Sequence, residues 1–397
     1  MASSSLANAR KVARLSAELL RYRRATAPAI AAKAVLARSV WGIDVTRFLM
    51  VGMYEQSMSR WGDSMSYLVD LEPGLRTINW QGDGKTLTVD KLITAERCLQ
   101  KDIPSAPLIA VIGRDGTAHP HQGLFPQLSS EREIAATLAE CPERLFVKPA
   151  TGWRGDGIFG AERSGNEWKV GAETLSTTAL AARLLAAAPP SGLLLQGRVR
   201  SHGALAPIGG ELGLGCVRIN TALTTAGPEL LFVFAKIMGS ECLVDNFAGG
   251  KFGNMLARVD NESGRITAVF GRKRDQHYLM ESVSHHPVTG TPLPGFQLPL
   301  WTAAVALAKR TASAFPETPL IGADVAITDD GPLIIEVQSD WDSNAPQLIM
   351  ETGLRPVMRT LVPRLALNQA VKQRAFEQMG LGSQPRRARK LERQSRT

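Results

Sequence analysis

The hydrophobic pattern changes period several times along the chain. Residues 5–60 read as helical: Ala and Leu are frequent, only Pro28, Gly42 and Gly52 interrupt, and Val12, Leu15, Leu19 and Leu20 fall near one helical stripe. Pro28 is expected at a helix start or break. Turn chemistry thickens at Glu72-Pro73-Gly74 and at Gln81-Gly82-Asp83-Gly84, and helical spacing resumes over 90–100 until Pro104 and Pro107 end it. The apolar run 108–112, bounded by proline and glycine, predicts a buried strand. Strand runs at 145–148, 193–196, 217–221, 230–237, 266–270, 323–327 and 333–337 then alternate with helical stretches near 179–188 and 302–315. Interleaving of this kind predicts a mixed α/β fold with at least one antiparallel sheet. No internal repeat is visible.

Composition narrows the picture. The chain has 397 residues, 44% hydrophobic and 21% charged, which suits two or three globular domains and excludes wholesale disorder. The net charge of +9 invites a nucleic-acid or membrane-surface partner. However, Arg386, Arg387, Arg389, Lys390, Arg393 and Arg396 against Glu392 put more than half of that excess in the last twelve residues. That segment reads as a basic, disordered tail, and the body suits anionic small molecules as well as nucleic acid. No apolar run is long enough to span a bilayer, so membrane insertion is not expected. Cys98, Cys141, Cys216 and Cys242 show neither zinc spacing nor a disulfide framework, so a reducing, cytoplasmic setting is expected. The first 24 residues, rich in Ser and Arg with Glu18 as their acid, also fit a transit peptide, although an amphipathic helix is the favoured reading. Oligomeric state is not readable.

Two segments carry chemistry. In Phe146-Val147-Lys148-Pro149-Ala150-Thr151-Gly152-Trp153-Arg154-Gly155-Asp156-Gly157 a strand ends in lysine and runs into three glycines. Glycines let backbone N–H groups approach an oligophosphate and the ammonium adds a point charge, but a β-hairpin whose turn needs glycine explains the pattern equally well. The second segment is a predicted hairpin through residues 328–332 that carries Asp324 on one strand and Glu336 and Gln338 on one face of the other. Carboxylates on adjacent buried strands repel unless a cation lies between them, and oxygen ligands imply a hard ion such as nucleotide-bound magnesium. Surface ion pairing fits the surrounding Ile-Ile-Glu-Val poorly. The pairs His119 with His121 and His285 with His286 lack further spaced ligands and read as loop or structural residues. The run 272–278 (RKRDQHY) is a solvated loop or an anion-recognising patch.

The order Thr88-Val89-Asp90-Lys91, Val147-Lys148-Pro149 with its glycine loop, Leu195-Gln196, Asp324 and Glu336-x-Gln338 resembles the ATP-grasp superfamily. Gln196 to His202, Cys216-Val217-Arg218, the stretch 244–250 (VDNFAGG), 286–290 (HPVTG), 295–299 (GFQLP) and 321–326 (IGADVA) narrow the resemblance to the sugar-transfer-associated group, over roughly residues 80–365.

The resemblance implies two α+β subdomains clamping ATP, after an α-helical N-terminal region. The implied boundaries are 1–70 for that region, 71–370 for the ATP-grasp domain (71–140 N-terminal, 141–200 lid, 201–370 metal and acceptor subdomains) and 371–397 for the tail. Lys91 and Lys148 match the lysines that hold ATP phosphates, and the loop with Gly152, Arg154, Gly155 and Gly157 matches the lid over them. Gln196 to Val199 matches the adenine-reading hinge, Arg218 the arginine near the transferred phosphate, and Asp324, Glu336 and Gln338 the Mg2+ ligands. Asp245, Asn246, Gly249 and Gly250 are expected on the acceptor side, with His202 near ribose or acceptor and His286 opening a substrate loop. The implied activity is an ATP- and Mg2+-dependent ligase joining a carboxylate to an amine, in modification of a sugar, peptide or amino-acid-derived metabolite. Phosphotransfer to another acceptor, a degenerate ATP-binding protein and, from another class, a basic nucleic-acid-binding protein are the alternatives. Two positions depart from the family pattern. Gln338 replaces the usual Asn, which moves the carbonyl oxygen by about 1.5 Å, and Gly197 replaces the acidic residue after the hinge glutamine.

Overall fold

The computed structural model describes residues 27–41, 43, 45–54, 71–113, 123–152, 155–240, 245–273 and 279–382. The N-terminal stripe at 12–20, the segment 383–397, Arg154 and most of the 272–278 cluster lie outside these residues.

Helices α1 (Ala27–Trp41) and α2 (Val45–Met50) pack through Ile30, Ala37, Phe48 and Leu49, and Pro28 falls in the first turn of α1, where a missing N–H costs nothing. Then α3 (Glu72–Asn79), α4 (Gly84–Val89) and α5 (Lys91–Gln100) follow. The first sheet contains β1 (Leu108–Ile112), β2 (Gln127–Leu128), β3 (Arg144–Pro149), β4 (Phe159–Ser164), β5 (Glu167–Val170), β6 (Glu173–Ser176) and β7 (Leu193–Gly197), in the order β2-β1-β7-β3-β4-β5-β6. Helices α6 (Glu131–Glu140) and α7 (Thr177–Ala187) close its core around Trp168, Leu145 and Leu195.

The second sheet contains β8 (Val217–Thr224), β9 (Gly227–Ile237), β10 (Met255–Val259), β11 (Ile266–Arg272), β12 (Met280–Ser282), β13 (Leu320–Thr328) and β14 (Gly331–Gln338), in the order β12-β11-β10-β9-β8-β13-β14. Helix α8 (Trp301–Ala314) buries Ala304, Leu307 and Ala308 against Ile219, Ala323 and Val337 of this sheet. Helices α9 (Asn344–Met350), α10 (Arg355–Leu361) and α11 (Gln369–Gln378) complete the chain. The architecture is the expected α/β one, with two largely antiparallel sheets. Among the described residues no helix is long and apolar enough to cross a membrane.

Three sequence expectations change. The Glu72-Pro73-Gly74 turn is the first turn of α3. Proline is tolerated there, and Gly74 lies where a Cβ would overlap the Met379 side chain. Residues 371–382 do not belong to a tail: Val371, Ala375, Met379 and Leu381 are buried, and the last three join Leu71, Leu75 and Ile78 in one cluster. The expected boundary at 140 falls inside the first sheet, because the apolar run of β1 pairs with β7 (Val111 opposite Leu194) and β2 rather than staying with α3 to α5. Gly74→Ala is expected to destabilise by about 1–2 kcal/mol despite its better helix propensity, since overpacking outweighs that gain. Urea unfolding checks this, with Met379→Ala restoring room.

The two sheets meet along residues 104–106. Ile334 N donates to Pro104 O (2.8 Å) and Ala106 N to Ile334 O (2.9 Å), so β14 of one sheet is fixed beside the lead-in to β1 of the other. Buried Asn79 adds a second anchor: Nδ2 donates to Leu320 O (2.6 Å) and Ser339 O (2.5 Å), and Oδ1 accepts from Leu320 N (2.8 Å). It therefore fixes the residue that follows Gln338.

Candidate active site

A cleft between the sheets is lined by Lys91, Lys148, Gln196, Ile335 and Glu336. Lys91 begins α5, capped by Asp90, whose Oδ1 accepts from Leu92 N (3.0 Å). The Lys91 backbone N donates to Ala150 O (2.8 Å) and its Nζ to Gly152 O (2.9 Å), while Glu336 Oε1 lies 3.9 Å away. Lys148 comes from β3, 5% exposed, and its Nζ has one long contact, Ile335 O at 3.5 Å. Burial is the main influence on it; Glu336 partly opposes that and Lys91 adds to it, leaving the ammonium with a pKa of about 8.

The glycine loop is the β3–β4 connection, so its hairpin reading is correct, and Lys91 touches it directly. Gly157 has φ +74° and a Cβ there would lie 2.9 Å from Pro149 Cγ, so that turn needs glycine. Gln196 is buried on β7 opposite Phe146 of β3, and Val199 is half-buried beyond the strand end. Gly197 packs on Pro107, with a built Cβ 3.3 Å from its Cγ, so a side chain there would be tight.

The β13–β14 hairpin sets Asp324 opposite Glu336 and Gly322 opposite Gln338. Its counter-charge comes from the chain itself. Arg218 Nε and Nη2 donate to Asp324 Oδ1 (2.5 Å) and Oδ2 (2.7 Å), and Arg218 Nη1 donates to Gln338 Oε1 (2.8 Å). Lys236 of β9 bridges Asp324 Oδ2 (2.9 Å) and Asp245 Oδ1 (3.1 Å). Burial opposes the charge on Asp324, but Arg218 and Lys236 outweigh it and hold the carboxyl well below the usual range. For Lys236, burial is likewise outweighed by Asp245 and Asp324, which raise its pKa. Sequence reasoning missed Lys236. The signal was available in Phe234-Ala235-Lys236-Ile237, a lysine inside an apolar strand run.

Of the expected acceptor residues, Asp245, Asn246, Gly249 and Gly250 share one loop. Asp245 is held by Lys236 and by Cys216 N (3.0 Å), and Asn246 Oδ1 accepts from Ala248 N (3.1 Å) within its own loop. Gly249 and Gly250 have φ of +64° and +72° and shape that loop. His202 Nδ1 accepts from Ala204 N (3.0 Å) and lies 3.5 Å from Asp329 in the β13–β14 turn, at the opposite end of the hairpin from Gln338. His286 is 1% exposed; its Nε2–H donates to Met238 O (2.7 Å), and Nδ1 accepts from the N–H groups of Val288 and Thr289. Both ring nitrogens are thus used by main chain.

The fit for a nucleotide and a divalent ion follows from these contacts. Lys148 is a buried ammonium with three N–H groups and a single long acceptor among the described residues. Half-buried Glu336 is a carboxylate with an open face. Magnesium takes one or two protein carboxylates together with phosphate oxygens, so Glu336 fits; both Asp324 oxygens are already held by cations, and Gln338 Oε1 already accepts from the Arg218 guanidinium. Among the described residues no group of three or more His, Cys, Asp or Glu side chains is placed to hold a metal ion by itself. The thiols of Cys98 and Cys141 are buried, burial pushing them to about 12 and about 11, which leaves them unreactive at neutral pH.

A family model described as sugar-transfer associated ATP-grasp matches residues 78–362. No curated protein matches the sequence. Similar solved structures include D-alanyl-alanine synthetase A from Vibrio cholerae (10% identity, 75% of this chain and 66% of that one, TM-score 0.39). D-cycloserine synthetase is another (13% identity, 74% and 71%, TM-score 0.34). A third is the ADP complex of N5-carboxyaminoimidazole ribonucleotide synthetase (13% identity, 65% and 46%, TM-score 0.37), of which this chain spans about half the length.

Proposed function

The chain belongs to the sugar-transfer associated ATP-grasp family, and from that premise we propose that it is an ATP-dependent ligase that activates a carboxylate as its acyl phosphate and joins it to an amine. The observation that carries this reading is the approach of Lys91 and Lys148, from a helix packed on one sheet and a strand of the other, to Glu336.

In this reading the triphosphate lies along the cleft with Lys91 and Lys148 on its oxygens. Lys148 then exchanges its long carbonyl contact for charge-assisted bonds. Gln196 to Val199 offer strand-end polar groups to the adenine edge, and the glycine loop, Arg154 included, covers the phosphates. The carboxylate oxygen attacks the γ-phosphorus, the bond to the ADP oxygen breaks, and charge spreading over the phosphoryl group is met by Lys148 and Arg218. The amine nitrogen then attacks the acyl carbon, phosphate departs, and the amine gives up one proton. Glu336 would hold Mg2+, with Gln338 joining it once its oxygen gives up the Arg218 N–H, and the ion neutralises phosphate charge when bound. Asp324, fixed between Arg218 and Lys236, keeps the guanidinium aimed. Small-molecule or peptide carboxylates and amines are the substrate class.

Lys148→Met is expected to weaken transition-state stabilisation by at least about 2 kcal/mol, roughly thirtyfold in kcat/KM. Magnesium-dependent ADP release across pooled carboxylates and amines measures this. Equal turnover by variant and wild type refutes the assignment.

A further inference from the structure

We propose that Gln338 is a positioning residue for Arg218: a latch that holds the guanidinium in the free chain and frees its Nη1 only when a magnesium nucleotide draws the Gln338 oxygen away. The proposal rests on the reading above that the cleft takes ATP and Mg2+, and it adds how the arginine is brought into use.

The sheet order shows what this bond requires. Arg218 lies on β8 and Gln338 on β14, with β13 between them, so the arginine side chain crosses a whole strand to reach its partner. It crosses at Gly322, the register partner of Gln338, where a Cβ would come within 2.9 Å of Arg218 Cδ and 3.4 Å of Nη1. The buried guanidinium then ends with Nη1 on Gln338 Oε1 at 2.8 Å, while Nε and Nη2 stay on Asp324. An asparagine at 338 would leave its oxygen about 1.5 Å further back, too far for this bond. The latch therefore depends on the extra methylene of glutamine.

Charge decides which contact can be given up. Asp324 and Asp245 are matched by Arg218 and Lys236, so the cluster is neutral without an ion, and drawing Asp324 away would strand buried cations. Gln338 is uncharged, half-buried and two residues from Glu336 in the cleft, so its oxygen is the one that moves at least cost. The exchange conserves bonds. Oε1 trades an N–H for the ion, and the freed Nη1–H takes a phosphoryl oxygen, so no buried donor is left unmade. The guanidinium does not swing, because both bonds to Asp324 persist. A carboxamide oxygen is an acceptor, as phosphate oxygens are, so nucleotide without the ion leaves the latch closed.

The test uses the full chain and a non-hydrolysable ATP analogue with and without Mg2+. By calorimetry, Gln338→Asn is expected to bind the analogue with Mg2+ at least threefold more tightly than wild type, because no internal bond has to break first. Gln338→Leu, which lacks both latch and ligand oxygen, is expected to lose at least threefold of the Mg2+ enhancement seen in wild type. Without ligand, both variants should melt about 2–5 °C lower, since a buried cation loses a hydrogen bond. A measurement on the wild type stands apart from variant folding. In protein labelled with 15N at arginine, the Arg218 Nη1 signal, assigned by its loss in Arg218→Lys, is expected to move with analogue plus Mg2+ and under a third as far with the analogue alone. Equal movement in both cases, an unchanged ligand-free Tm in Gln338→Asn, or no gain in its Mg2+-dependent affinity overturns the latch alone. Absence of Mg2+-dependent binding in wild type contradicts the ligase reading, and the latch with it.

Discussion

Lys236→Met is expected to destabilise the folded chain by about 3–5 kcal/mol, the usual consequence of leaving a buried charge unpaired. The lysine side chain lies between Asp245 and Asp324, and removing it affects the two unequally. Asp324 keeps both bonds to Arg218, whereas Asp245 is left with the Cys216 N–H. The loss therefore concentrates on Asp245 and the turn it starts, and adding Asp245→Asn to the variant should recover about 1–3 kcal/mol. Urea unfolding is the measurement, with m unchanged if the transition remains two-state. A Lys236→Met loss below about 1 kcal/mol would show that the network contributes little beyond its geometry. The same variant should reduce turnover more than ATP affinity, because Lys236 reaches the site only through Asp324 and Arg218.

The second large effect is on pH dependence, and Lys148 is its source. Burial lowers its pKa from the ordinary 10.5 to about 8 in the folded chain without ligand. Between those values the unfolded chain binds more protons than the folded one, so stability contributed by this group rises with pH over roughly 8 to 10.5, by about 3 kcal/mol in all. Nucleotide binding should show the opposite trend. Phosphate oxygens favour the ammonium, so the complex holds the proton to higher pH than the free chain. Affinity is then flat below about pH 8 and falls about tenfold per unit above it as binding takes up a proton. Calorimetry in buffers of different ionisation enthalpy reads that uptake directly. Lys148→Met should flatten both curves, and a wild-type affinity independent of pH up to 10 would contradict the buried-ammonium account.

Sequence legibility followed burial. Strands β1, β3, β7, β8, β13 and β14 were readable because each is an apolar run stopped by turn residues, as in Leu108–Ile112 and Leu193–Gly197. Strands β5 and β6 escaped because Glu167–Val170 and Glu173–Ser176 alternate polar and apolar residues at the solvated end of their sheet. Helix α6 was missed although Ser130 and Glu133 form its capping box, a signal that was present and unused. Helices α9 and α10 begin around Pro346 and Pro356, and those prolines masked their periodicity. At the site, Lys148 and Glu336 could be named from local motifs, and Lys91 and Arg218 through the ordered resemblance to the family. Lys236 could not be paired that way, because its partner Asp324 is 88 residues away and only the sheet order brings β9 close to β13. For the same reason His202 and His286 looked like ligand-facing residues: nothing local shows that Asp329 and Met238 O are their neighbours.

The central claim is that Lys91, Lys148 and Glu336 act on one magnesium nucleotide. Thermal unfolding of wild type, Lys148→Met and Glu336→Ala with and without Mg2+ and ATP tests it most directly, because a ligand that binds only the folded state raises Tm by mass action. A clear rise is expected in wild type, lost in Lys148→Met and, in Glu336→Ala, no longer dependent on Mg2+. Equal rises in all three proteins, or none in wild type, would contradict the account.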